Sequence, residues 1–347
     1  MTRTQSTLRN AKLSVACQII TLLTSFVARA FVARFLISEY YLSLSGLFSN
    51  VLTVISLAEL GVGAAVSFSL YKPLSENDET KVRALMRFFR RAYTIIGIAV
   101  FSLGIALTPV LNFLINDFDD VKSAIPEFYL IYVLYVANSA VSYFFSYKKT
   151  LIIADQKKYL FSFIAAASSI LLCASRCVAI AFFQNYVLYM ALAVAFTVAE
   201  NVVISGCANK LYPYLKNKEK CKLSGEDLSV IKTNMGASVM HSIGGVAVNG
   251  TDNILISKIV GFISEGIYTN YHMITAALDG IIGITLESST PSFGNLCASD
   301  DSEHKITVFN RMFFASSWLY GFSAICFYIL VNPFISLWIG KEMFLSP

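Results

Sequence analysis

The sequence predicts an all-α polytopic membrane protein, and three observations predict it. Of its 347 residues 56% are hydrophobic and only 14% charged, where a soluble domain carries about a quarter charged. The apolar residues gather into runs of the length, roughly 20 residues, that a helix needs to cross hydrocarbon. The basic residues collect in alternate connections between those runs. No run alternates apolar and polar residues in the manner of a membrane barrel strand.

Nine spans follow, at 13–37, 43–70, 93–116, 125–154, 159–183, 185–208, 236–263, 266–297 and 311–331, with a tenth expected to begin near Phe334. Several exceed a straight crossing, so tilt or extension beyond the lipid is expected. The first is preceded by Arg3, Arg9 and Lys12. Its ARA at 28–30 resembles a signal-cleavage site, but Arg29 lies inside that site and the apolar run continues to Ile37. An uncleaved span is therefore expected. After the second span come Lys72, Lys81, Arg83, Arg87, Arg90 and Arg91. Within that stretch RALMRFFRR (83–91) alternates basic and apolar residues at helical spacing and reads as a helix lying on the inner membrane surface. The third span leads into the acidic NDFDD (116–120), and the fourth into Lys148, Lys149, Lys157 and Lys158. The sixth is followed by Lys210, Lys216, Lys218, Lys220, Lys222 and Lys232, and the eighth by Lys305 and Arg311. The positive-inside rule places the N-terminus and these basic connections in the cytoplasm.

The connections are too short to fold as a soluble catalytic domain. No stretch resembles a phosphate loop, a zinc motif or a nucleophile triad, so neither an enzyme nor a bound cofactor is expected, and nothing suggests a nucleic-acid partner. Cys17, Cys173, Cys177 and Cys326 lie in apolar runs without metal-like spacing and read as small packing residues. ASDDSEHK (298–305) reads as a solvated loop, and Trp318 and Trp338 suit membrane-edge positions.

An internal repeat organises the spans. RFLISEYY (34–41) ends the first span and KIVGFISEGIY (258–268) ends the seventh, each with a basic residue, an apolar run and Ile-Ser-Glu. LAEL (57–60) and TLES (285–288) follow at matching places in the second and eighth spans. The expected build is two pseudo-symmetric six-helix bundles, the second incomplete in this chain. They divide as an N-terminal bundle at 1–209, a cytoplasmic linker at 210–235 and a partial C-terminal bundle at 236–347.

Charges inside the spans point to function, because a charge at the bilayer centre costs on the order of 3 kcal/mol even on the lenient insertion scale. They are Arg29, Arg34, Glu59, Arg176, Glu200, Asp252, Lys258, Asp279 and Glu287. At about 100° per residue, Ser45, Ser49, Ser56, Glu59, Gly63 and Ser67 share one face of the second span. His241, Gly245 and Asp252 share a face of the seventh, with Asn249 slightly off it. Tyr268, His272, Thr275, Asp279 and Thr290 share a face of the eighth. Such stripes either glue helices together or line an aqueous cavity. The carboxylates favour a cavity between the bundles. On one continuous helix Asp252 and Lys258 stand about 120° apart and roughly 9 Å apart along the axis, too far around for an i,i+4 ion pair. Lys258 and its repeat counterpart Arg34 either snorkel to the surface or bind ligand. Arg29 lies deeper and suits a functional or ion-paired role. Arg176 sits mid-span, where an internal pair with a carboxylate is the alternative. His241 and His272 are either proton carriers or satisfied core residues.

Several stretches resemble bacterial polysaccharide flippases of the Wzx type, in the multidrug/oligosaccharidyl-lipid/polysaccharide exporter superfamily. They are LAELGVGAAVSFSLYKPLSENDETKVRALMRFFR (57–90), NSAVSYFFSYKKTLIIADQKKYL (138–160), KLYPYLK (210–216), GTDNILIS (250–257), YTNYHMI (268–274) and NPFISLWIG (332–340). The resemblance implies a MATE-like pair of bundles around a central cavity in the bacterial cytoplasmic membrane. It implies movement of undecaprenyl-diphosphate-linked oligosaccharide between leaflets for surface polysaccharides such as O-antigen, by alternating access. Partners would be that lipid-linked oligosaccharide, membrane lipid and other polysaccharide-assembly proteins. Arg29, Arg34, Arg176 and Lys258 are candidates for the diphosphate, since cationic side chains match phosphate oxygens. Glu59, Asp252, Asp279 and Glu287 are candidates for coupling to Na+ or H+. Ser49, Ser56, His241, Asn249, His272 and Thr275 are candidates for lining the cavity. A cation-coupled multidrug exporter of the same superfamily is the alternative, and a membrane-embedded polymerase is disfavoured by the short outer connections.

Overall fold

The computed structural model describes residues 3–36, 40–59, 61–116, 118–155, 157–217, 223–287 and 302–340. All regular structure among them is helical. Five of the predicted spans hold a long helix: α1 (Arg3–Phe35), α4 (Glu79–Ala106), α7 (Phe128–Ala154), α8 (Lys158–Phe183) and α9 (Tyr186–Leu211). Of the run 93–116, α4 covers only the part to Ala106, and a 3-10 turn (Thr108–Val110), α5 (Leu111–Leu114) and α6 (Phe118–Ala124) follow it. With α13 (Ser302–Trp338), six described helices are long and apolar enough to cross a membrane. Their outward side chains are large and apolar, as lipid requires. Phe182 is 80% exposed and Tyr328 86%, an exposure that water would disfavour over so broad a surface.

Two further spans expected to be single are broken. The run 43–70 divides into α2 (Tyr40–Ile55), a 3-10 turn (Ser56–Glu59) and α3 (Val62–Ser75). Gly61 sits between them at φ 67°, a left-handed conformation that only glycine adopts without penalty. The run 236–263 divides into α10 (Gly225–Asn249) and α11 (Asp252–Ile259). Each break lies against the other broken span. A Cβ on Gly61 would stand 2.5 Å from the Ser238 Cβ of α10, and one on Gly250 would stand 3.4 Å from Thr53 of α2. Glycine at 61 lets the start of α3 approach the backbone of α10, where the Met235 carbonyl and the Val239 nitrogen would lie 3.0–3.1 Å from such a Cβ.

Three further expectations are corrected. The stretch 83–91 is no separate surface helix. It continues unbroken into α4, because neither glycine nor proline interrupts 79–96. Phe334 opens no tenth helix among the described residues, because α13 runs through Pro333 to Trp338. Helix α10 starts at Gly225, inside the stretch expected to be linker, where Ser224 and Asp227 cap it reciprocally, each satisfying an orphan backbone donor. Lys81 ion-pairs with Asp227 at 2.7 Å. That ammonium, hydrogen-bonded to the carboxylate, holds the Asp227 carboxyl below its usual range.

The chain forms two compact units, Met1–Gly266 and Ile267–Pro347. In the first, α1 packs on α8, α8 on α9, α9 on α7, and α7 on α4 and α3, while α10 and α11 pack on α3 and α2. Its core centres on the fully buried Phe48 of α2, whose ring meets Phe128, Tyr132 and Tyr135 of α7 edge-on at 5.1–5.3 Å. Such edge-to-face contacts add about 0.5–1.5 kcal/mol each beyond area burial. The second unit comprises most of α12 (Phe262–Glu287) and α13. Within it, the Tyr271 hydroxyl donates to Asn332 Oδ1 at 2.6 Å.

Candidate functional site

The most deeply buried basic residue among those described in the first unit is Arg29 of α1, only 7% exposed. Its Nη1 donates to Ser45 Oγ at 2.7 Å, and its Nη2 to the carbonyls of Leu42 at 3.3 Å and Gly266 at 3.1 Å. Ser45 Oγ in turn donates to the Leu42 carbonyl at 3.1 Å. The guanidinium also interacts electrostatically with Glu265, which is fully buried. Arg29 therefore ties α1 to α2 and to the first turn of α12. A charge so deep in apolar surroundings is tolerated only with such pairing and hydrogen bonding.

Beside it runs an aromatic ladder. Tyr186 and Tyr189 of α9 stack at 5.0 Å, and Tyr186 lies 5.1 Å from Tyr41. The hydroxyls of Tyr135 and Tyr186 are 3.1 Å apart. At the far end the Arg176 guanidinium of α8 lies 4.2 Å from the Tyr189 ring centroid, and its Nε donates to the Tyr189 carbonyl at 3.4 Å. Stacking on a ring face leaves the outer edge of a guanidinium able to donate elsewhere.

Arg176 borders a cavity of about 320 Å³ among α1, α8 and α9. Its walls are hydroxyl-rich, with Thr21, Thr24 and Ser25 from α1 and Ser168 and Ser169 from α8. Thr24 and Ser169 hydrogen-bond across the helix pair. Thr21, Thr24 and Ser25 each also donate to a carbonyl of α1, which leaves their oxygens as acceptors. Glu200 of α9 supplies one carboxylate to the same cavity. The site thus offers one cation, one anion and a set of hydroxyl oxygens that accept.

Of the residues expected to bind diphosphate, Arg29 and Arg176 join through the tyrosine ladder. Arg34 is exposed near the end of α1. Lys258 is exposed, with its Nζ 4.5 Å over the Phe113 ring. Glu59 ends the 3-10 turn, where its Oε1 accepts the Gly63 N–H at 3.1 Å and the Tyr93 hydroxyl at 3.5 Å. It caps the start of α3, satisfying a donor that the break would otherwise orphan. Asp252 and Lys258 occupy the first and last turns of α11, where each sign complements the helix dipole. The single helical phase assumed across 241–252 and across 45–67 fails at the two breaks. Ser49 is exposed on α2, and Ser56 Oγ donates to the Thr53 carbonyl at 2.6 Å. His272 and Asp279 are exposed on α12, and Thr275 donates to the His272 carbonyl at 3.0 Å. The side chains of His241, Asn249 and Glu287 lie outside the described residues, as does Thr290.

The lining of the α1–α8–α9 cavity, apart from Arg176 and Glu200, escaped the sequence reading. Its signal was present: Thr21, Thr24, Ser25 and Ala28 fall at i, i+3, i+4 and i+7 and share one helical face.

No protein-family model and no curated protein matches the chain. Two solved structures share its fold. One is described as the inward-facing conformation of a multidrug resistance MATE family transporter of the MOP superfamily. It has TM-score 0.70 and 13% identity over 96% of this chain and 77% of that one. The other is an aspartate-to-asparagine mutant of the Vibrio cholerae MATE transporter VcmN, with TM-score 0.63 and 13% identity over 98% and 78% of the two chains. At that identity the likeness establishes the fold.

Proposed function

We propose that the protein moves an undecaprenyl-diphosphate-linked oligosaccharide across the bacterial cytoplasmic membrane, with its N-terminus in the cytoplasm. The observation that carries this reading is Arg176 at the edge of a hydroxyl-lined cavity within the first unit. A guanidinium suits a diphosphate oxygen. Hydroxyl oxygens left as acceptors suit the donating hydroxyls of a sugar. The lipid tail stays in the bilayer. The motif resemblance to polysaccharide flippases supports the substrate class, and the MATE-type fold supports transport by alternating access. In this reading the spans up to α9 and those from α10 onward form the two moving bundles, and Na+ or H+ supplies the driving force through an intramembrane carboxylate. Arg29 holds α1, α2 and the start of α12 in register rather than meeting the substrate.

One observation favours a second reading. Glu200 shares the cavity with Arg176, and a carboxylate there suits a cationic drug, the cargo class of a multidrug exporter. Depletion of the protein separates the two. The flippase reading expects undecaprenyl-linked oligosaccharide to accumulate on the cytoplasmic face. An unchanged inner-leaflet pool together with heightened sensitivity to cationic dyes supports the exporter instead.

A further inference from the structure

The charges bordering the α1–α8–α9 cavity carry information beyond the diphosphate. Arg176 of α8 and Glu200 of α9 are both half-buried and both border it. The two helices pack together on either side of a short connection at Gln184 and Asn185. At about 1.5 Å per residue, Arg176 stands about 12 Å along its helix from that connection and Glu200 about 22 Å. The Arg176 head group leans away from Glu200. Its Nε donates to the carbonyl of Tyr189, a residue only about 6 Å along α9 from the connection. The cation and the anion thus sit at separate levels of one free volume, offset by about 10 Å. Lys149 of α7 also feels the field of Glu200, with its Nζ 4.0 Å over the Phe161 ring.

A ligand that fills the cavity meets a cation at one level and a carboxylate at another. An uncharged sugar offers the carboxylate only hydroxyl donors, which leave its charge uncompensated, and such a charge is costly at membrane depth. A sugar bearing a free amine compensates it. The ammonium carries three N–H donors. Thr21, Thr24 and Ser25 each donate to a carbonyl of α1 and leave acceptor oxygens on the same cavity. A carboxylate beside acceptor oxygens therefore matches an ammonium in both charge and donor number. An N-acetyl group in its place has no charge and one N–H. The cavity, about 320 Å³, lies at the lower end of the roughly 300–1,000 Å³ of small-ligand sites. With the diphosphate at Arg176, the offset of about 10 Å reaches past the first sugar to the second.

We propose that the sugar portion of the cargo carries a free amine, read by Glu200 together with the α1 hydroxyls. The proposal rests on the flippase reading above and names its substrate more closely. The test uses the full chain in proteoliposomes at mildly acidic pH, where the amine is charged. Two undecaprenyl-diphosphate-linked trisaccharides are compared, alike except that the second sugar is glucosamine in one and N-acetylglucosamine in the other. Both end in the same galactose, whose transbilayer movement an impermeant lectin reads. The wild-type protein is expected to move the amine form about tenfold faster, the order of one charge-assisted hydrogen bond. Glu200→Gln is expected to bring the ratio of the two rates close to one, and Glu200→Asp to keep most of the preference. The wild-type comparison stands even where a variant fails to fold. Equal rates for both forms in the wild-type protein overturn the proposal and leave the flippase reading standing. A Glu200→Gln variant that slows both forms alike and keeps their ratio also overturns it, and assigns the carboxylate to a coupling cation. Movement of neither form by folded wild-type protein overturns the proposal together with the flippase reading.

Discussion

Arg29 and Arg176 are both arginines in membrane-spanning helices of the same unit, yet their surroundings differ. Arg29 is buried at 7% exposure and engages Ser45, two carbonyls and the field of Glu265. Arg176 is half-buried, stacks on Tyr189 and borders an open cavity. Depth marked Arg29 for a functional or ion-paired role. Its hydrogen bonds engage it with the fold, while the shallower cation borders free volume.

The sharpest way to break this contrast is to truncate each arginine. Arg29→Ala removes a buried cation beside Glu265 together with its three hydrogen bonds, and is expected to lose about 3–5 kcal/mol of stability, read as a collapse of the thermal midpoint in detergent. Arg176→Ala removes a stacking contact of about 0.5–2 kcal/mol, so it should remain folded while losing transport. If Arg29→Ala melts like wild type, its structural assignment falls.

Next in size comes the crossing that positions α10 against α3. Gly61→Ala combines a positive φ with a Cβ 2.5 Å from Ser238, and is expected to destabilise by about 1–3 kcal/mol. The same denaturation curve reads it. Tyr135→Phe deletes one end of the 3.1 Å hydroxyl pair with Tyr186, leaving a buried partner, and should cost about 1–3 kcal/mol at most. A transport defect without a stability change would place that hydroxyl at the substrate rather than in the ladder.

The smallest effect is the Lys81–Asp227 pair, largely exposed to water. Because its folded-state carboxyl is depressed, its contribution is present above the ordinary carboxylate pKa and is lost as pH falls below it. For a surface pair that contribution is about 0–1 kcal/mol. Asp227→Asn should therefore narrow the stability difference between neutral pH and pH 3 by that amount, and no more.

The long apolar runs were legible because crossing a bilayer constrains composition directly, and α1, α7, α8 and α9 follow them closely. The breaks were not. Gly61 and Gly250 each sit in an apolar run, where glycine is compatible with a tight helix crossing or with a break. Only the partner helix decides between them. The stripes through Glu59 and Asp252 inherited that error, since helical phase is lost at a break. The continuity of 83–91 with α4 was readable, because no breaker separates them. The hydroxyl face of α1 was equally readable from its i, i+3, i+4, i+7 spacing. Arg29 and Arg176 stood out because charges are rare in lipid. Their division of labour depends on distances across helices that no spacing encodes.

The central claim is best tested in proteoliposomes holding the full chain, by following transbilayer movement of undecaprenyl-diphosphate-linked oligosaccharide with an impermeant lectin. The account predicts movement by the wild-type protein and a loss of roughly tenfold or more in Arg176→Gln, consistent with losing one charge-assisted phosphate contact, with folding unchanged. No movement of the lipid-linked sugar under a Na+ or H+ gradient, alongside gradient-driven export of a cationic dye that Glu200→Gln abolishes, would contradict it.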